Sequence, residues 1–85
     1  MKSCVWQPRF EKELSEIEAD PKKADELISG IEWVLSRKPK AGLNIIGTSV
    51  WYIISRDIPK RRYLVVYYTF TGEKVFLLSV KPAFR

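Results

Sequence analysis

The chain has 85 residues, enough for one domain over 1–85 and too few for two, because domains rarely fall below about 50 residues. It has no histidine and one cysteine, which excludes His-based catalytic triads, an internal disulfide and a Cys/His zinc cluster. Lys plus Arg outnumber Asp plus Glu by 15 to 10, and 46% hydrophobic residues exclude a disordered chain.

Residues Ser3–Trp6 read as a short strand. Pro8 suits the first position of a helix, where its missing N–H costs nothing. Phe10, Leu14 and Ile17 follow at helical spacing, and Glu11, Glu13, Glu16 and Glu18 are expected to face water around that stripe. They read as a solvated face and not as a metal site. The helix should stop near Asp20-Pro21, since a residue before proline leaves the helical region.

Asp20 then caps a second helix, with Pro21 in its first turn. Ala24, Leu27, Ile28, Ile31, Val34 and Leu35 form its apolar stripe. Arg37 and Lys38 suit its negative end, and Pro39 stops it. Gly30 interrupts it, and close packing against a neighbour would account for that. Residues 41–49, with Gly42 and Gly47, read as a linker.

Beyond the linker the period changes from helix to strand. Residues 50–55, 62–70 and 74–80 are rich in β-branched and aromatic side chains. Residues 57–60 form the expected first turn, and Thr71-Gly72 the second. The order is β-α-α-β-β-β: an α+β domain with a helical hairpin on a small, mainly antiparallel sheet. Residues 63–70 are apolar on both alternating faces. One face should meet the helices, and the other is left for a partner.

The longest apolar runs are far short of the roughly 18 residues that cross a membrane, and no secretory signal is visible. A cytoplasmic protein with no membrane contact is expected. Cys4 reads as a small buried hydrophobe, and Trp51 as packing. The charge is uneven. Up to Gly42 there are 8 basic and 8 acidic residues; from Leu43 there are 7 and 2. The densest run is Arg56-Asp57-Ile58-Pro59-Lys60-Arg61-Arg62. A local basic field attracts polyanions, and nearby aromatic rings can stack on bases.

The element order, with Pro39-Lys40-Ala41-Gly42-Leu43-Asn44-Ile45-Ile46-Gly47, Trp51-Tyr52-Ile53, Tyr63-Leu64-Val65-Val66-Tyr67 and Val75-Phe76-Leu77-Leu78-Ser79-Val80-Lys81, resembles the RelE/ParE superfamily of type II toxin–antitoxin toxins. The resemblance spans nearly the whole chain. It implies a cognate antitoxin that wraps the toxin, and an acidic antitoxin tail would suit the net charge. Such a tail is expected on the sheet or across the hairpin, burying Tyr52, Tyr68 or Trp33.

The resemblance implies one of two targets. RelE-like members cut mRNA in the ribosomal A site, and ParE-like members inhibit DNA gyrase. A third reading is a toxin fold that has lost its activity and only binds an antitoxin. The basic second half ranks the ribosome-dependent endoribonuclease first. It needs no cofactor and no metal. Its catalytic set would be Arg61, Arg62, Lys81 and Arg85, with Arg56, Lys60 and Tyr67 gripping RNA. The family's strand arginine aligns with Leu64, so Arg61 or Arg62 would replace it, at most one of them well aimed. Phe84 stands near the family's final tyrosine. The family comparison also suggests that Tyr63, Val65 and Tyr67 point inward.

Overall fold

In a computed structural model the protein is described over residues 1–57 and 62–83. Strand β1 (Ser3–Trp6) leads through Gln7 into helix α1 (Pro8–Ile17), which is followed by helix α2 (Pro21–Arg37). A 3-10 turn (Pro39–Ala41) and the two-residue strand β2 (Leu43–Asn44) occupy the expected linker. Strands β3 (Trp51–Asp57), β4 (Arg62–Phe70) and β5 (Lys74–Ala83) complete the chain. The α+β order expected from the sequence holds. The turn expected at 57–60 lies largely outside the described residues.

Helix α1 ends at Ile17, three residues before Asp20, because Glu18 leaves the helical region (φ −139°) while its N–H still reaches the Leu14 carbonyl. Residues 18–20 then carry the reversal. Asp20 caps α2 by accepting from the Lys22 N–H at 3.0 Å.

The sheet order is β1-β5-β4-β3-β2. β1 runs parallel to β5, and every other pair is antiparallel. The parallel pair follows from the hairpin: two helices carry the chain over the sheet and return it to the edge opposite β1. Phe10 and Leu14 of α1, and Ala24, Ile28, Ile31 and Leu35 of α2, are buried against the sheet. Each large side chain so buried stabilises the fold by about 1.5–3 kcal/mol.

The buried face of β4 is Leu64, Val66 and Tyr68, all at 0% exposure, which reverses the expectation that Tyr63, Val65 and Tyr67 point inward. Register explains the reversal. Trp51 pairs with Tyr68 and Ile53 with Val66, so Trp51 and Ile53 of β3 share that face. Trp51 packs on the core and meets the Phe70 ring at 5.7 Å, as expected of a packing residue. Opposite Tyr67 and Tyr68 of β4, Leu78 is an extra residue in β5, so that Leu77 and Val80 both face the core.

Gly30 is exposed, and a Cβ there would touch nothing within 4 Å, so close packing does not explain it. Gly42 is different. A Cβ at Gly42 would sit 2.3 Å from the Tyr52 carbonyl oxygen. The Tyr68 hydroxyl donates to the Pro39 carbonyl at 2.6 Å and accepts from the Gly42 N–H at 3.1 Å. A tyrosine buried in the sheet thus fastens the linker to it.

Candidate functional site

Strand alternation divides the sequence-derived site residues between the two sides of the sheet. Tyr63, Val65 and Tyr67 of β4 stand opposite Arg56, Ile54 and Tyr52 of β3. These six lie on the face away from the helices. Tyr52 and Tyr67 approach ring to ring at 6.3 Å. Ile54 is 57% exposed, and Arg56 is exposed at the end of β3. The result is an open strip of three tyrosines, two aliphatic side chains and one arginine.

Arg62 falls on the other side. It shares the face of Leu64, and its guanidinium donates to the Ile17 carbonyl at the end of α1 at 3.4 Å. It ties β4 to the helical hairpin. Arg56, Tyr67 and Arg62 therefore do not form one cluster. Lys60, Arg61 and Arg85 lie outside the described residues.

Lys81 sits on β5 beyond the stretch that β1 covers, since β1 pairs only with residues 74–77. Its ammonium forms an ion pair with Glu13 of α1. Glu13 also accepts from the Ser79 hydroxyl at 2.5 Å and the Val80 N–H at 3.3 Å. Glu13 is buried, so the solvated face expected for the helix carboxylates does not extend to it. Glu11 and Glu16 are exposed as expected, and Glu18 is half-buried.

Burial pushes the Glu13 carboxyl upward, but its bonds to Lys81, Ser79 and Val80 outweigh that. It titrates below its usual range. Spacing on α1 places Glu13 at the edge of the apolar stripe, three residues after Phe10 and four before Ile17, but does not show its partners. The carboxylate reaches the bare edge of β5, which only the three-dimensional pairing reveals.

Tyr68, expected on a docking surface, is fully buried and cannot meet a partner. Burial raises its hydroxyl pKa, opposed by the bond from Gly42. Cys4 is half-buried, and its thiol is pushed up first by burial and then by the charge of Glu32. A thiol kept protonated is a poor nucleophile.

Among the described residues no group of three or more Cys, Asp or Glu is arranged to hold a metal ion. No helix among them is long and apolar enough to cross a membrane. The chain matches no protein-family model and no curated protein.

Proposed function

We propose that the chain is the toxin of a type II toxin–antitoxin pair, similar to RelE, acting on ribosome-bound mRNA through the open face of its sheet. The observation that carries this reading is the strip of Tyr52, Tyr63, Tyr67 and Arg56 on the face opposite the helices. Half-buried rings on an open sheet face can accept bases by stacking, and a cation at the end of the strip accepts phosphate. The net charge of +5, all of it from the second half of the chain, strengthens the pull on RNA. The protein works in the cytoplasm, and an antitoxin with an acidic segment covers the strip when the toxin is silent.

Cleavage at a 2′-hydroxyl needs that oxygen deprotonated as it attacks the adjacent phosphorus. The phosphorus–O5′ bond then breaks, and the leaving oxygen takes a proton. In a chain without histidine, phenols and guanidinium groups carry these duties. On this face they are Tyr63, Tyr67 and Arg56, with Arg61 and Arg85 as further cations in the sequence.

A second reading is a ParE-like inhibitor of DNA gyrase, which binds without cutting. The Glu13–Lys81 pair favours it, because it neutralises one cation assigned to catalysis. The attachment of Arg62 to the helical side favours it too.

Primer extension on a reporter mRNA in a purified translation system tests the first reading, beside a gyrase supercoiling assay. A-site cleavages that vanish in Arg56→Ala and Tyr67→Ala variants support the nuclease. Intact mRNA with blocked supercoiling supports the second reading. Inactivity in both assays overturns both.

A further inference from the structure

The outer face of α2 is built like one half of a symmetric contact. Glu26, Gly30, Trp33 and Arg37 are spaced four, three and four residues apart, which aligns them on one stripe of a helix. That stripe lies directly opposite the buried stripe of Ala24, Ile28, Ile31 and Leu35. All four residues are exposed, and Trp33 is 61% exposed. A tryptophan left so open is unusual, and Trp and Arg are the residues that most often anchor interfaces. The Arg37 guanidinium lies 4.1 Å from the Trp33 ring centre and covers part of it.

We propose that this face pairs with the same face of a second copy of the chain, two α2 helices crossing antiparallel about a two-fold axis. The stripe is self-complementary about one point, midway between Ile31 and Glu32. A two-fold axis there sets Trp33 level with Gly30 of the second copy. It sets Arg37 level with Glu26 of the second copy. By symmetry each of these contacts occurs twice.

The chemistry fits at both places. Gly30 has no side chain, and nothing stands within 4 Å of where a Cβ would be. It therefore leaves a hollow for an indole ring and lets the helices approach closely. Glu26 and Arg37 have opposite charges, and Arg37 is already held over the ring it would flank. The only like-charged residues brought level are Lys23 and Lys40. Lys40 lies past the end of the helix, on the 3-10 turn.

The four residues span roughly 16 Å of helix at 1.5 Å per residue. A contact of that size falls below the area of a standard stable interface, so the dimer is weak and concentration-dependent. Both open sheet faces point away from it. Its failure and the failure of the proposed function are therefore separate outcomes.

Sedimentation velocity over a concentration series tests it, with circular dichroism and melting to establish folding. The wild type is expected to move from monomer to dimer. Trp33→Ala should weaken association about tenfold or more, the effect of deleting an interface anchor. Glu26→Arg and Arg37→Glu, each alone, set like charges opposite one another and should leave monomers. An equimolar mixture of these two variants restores both pairs and should dimerise. So should the doubly reversed chain. A wild type that stays monomeric at its highest soluble concentration overturns the proposal. So does a dimer indifferent to Trp33→Ala and to both charge reversals.

Discussion

Glu13 of α1 and Lys81 of β5 pair across the free edge of the sheet, where the parallel partner β1 has already ended. The carboxylate does what a neighbouring strand would do, accepting the Val80 N–H that the edge leaves open. The partners are unequal. Glu13 is buried, whereas the Lys81 side chain is 54% exposed. Glu13→Ala should cost about 1–3 kcal/mol, because the Val80 N–H and the Ser79 hydroxyl lose a buried acceptor. Lys81→Ala should cost about 1 kcal/mol or less, since water already screens the ammonium. Urea melts of the two variants measure the asymmetry, and equal costs would count against it.

The same pair sets an acid limb of stability. The folded Glu13 carboxyl titrates below its unfolded value, burial opposing the shift and the Lys81, Ser79 and Val80 bonds overcoming it. Its contribution is present above the unfolded value of about 4.3 and disappears as pH falls through the folded value. Stability should therefore rise with pH through that acidic window and then level off as far as Glu13 is concerned. Lys81→Ala removes part of the downward pull, so the Glu13 portion of the loss should start from the same unfolded value but be smaller and complete at higher pH. Melting temperatures across the acid range, compared with Glu13→Gln, isolate this step.

The Tyr68 hydroxyl joins the sheet to the linker through Pro39 and Gly42. Tyr68→Phe keeps the buried ring and removes both bonds, at a cost of about 1–2 kcal/mol. Hydrogen exchange at the Gly42 amide should accelerate more than exchange in β4. Gly42→Ala should be worse, because its methyl group meets the backbone oxygen of Tyr52, which has no flexible end to move.

Gly30→Ala should act in the opposite direction. The site is helical, exposed and open, so the change carries no steric cost. A gain of about 0.5–1 kcal/mol is expected from propensity and from a less disordered unfolded chain. Thermal melts at low concentration read this without any contribution from self-association.

Much of the fold was legible because local signals agreed with tertiary packing. Pro8, Asp20-Pro21 and Pro39 punctuate the helices where the sequence suggests, and Phe10, Leu14 and the α2 stripe face the core. The inward face of β4 was not legible, because residues 63–70 are apolar on both faces and periodicity has nothing to select. The choice rests on pairing with Trp51 and Ile53, which are distant in sequence. Glu13 was missed for a related reason. It borders the apolar stripe, three residues after Phe10 and four before Ile17, but its partners lie 66 to 68 positions away in Ser79, Val80 and Lys81. The separation of Arg62 from Arg56 likewise depends on strand parity, which a basic run does not display.

That parity gives the last prediction. Under the proposed RelE-like reading a strand arginine is expected at Leu64, and placing arginine there looks like a way to strengthen a nuclease. The side chain at 64 points into the core at 0% exposure, beside Val66 and under the helices. Leu64→Arg would bury a guanidinium away from the open face, and the loss of stability should reach about 4 kcal/mol or more. Ile54→Arg instead places the charge on the face away from the helices, at a position that is 57% exposed and paired with Val65. The fold should tolerate it, and RNA affinity should rise with a steeper salt dependence, by about one further phosphate contact. Filter binding at two salt concentrations, with melting curves of both variants, checks the pair. A folded Leu64→Arg protein that gains RNA affinity would show that this position faces the ligand after all.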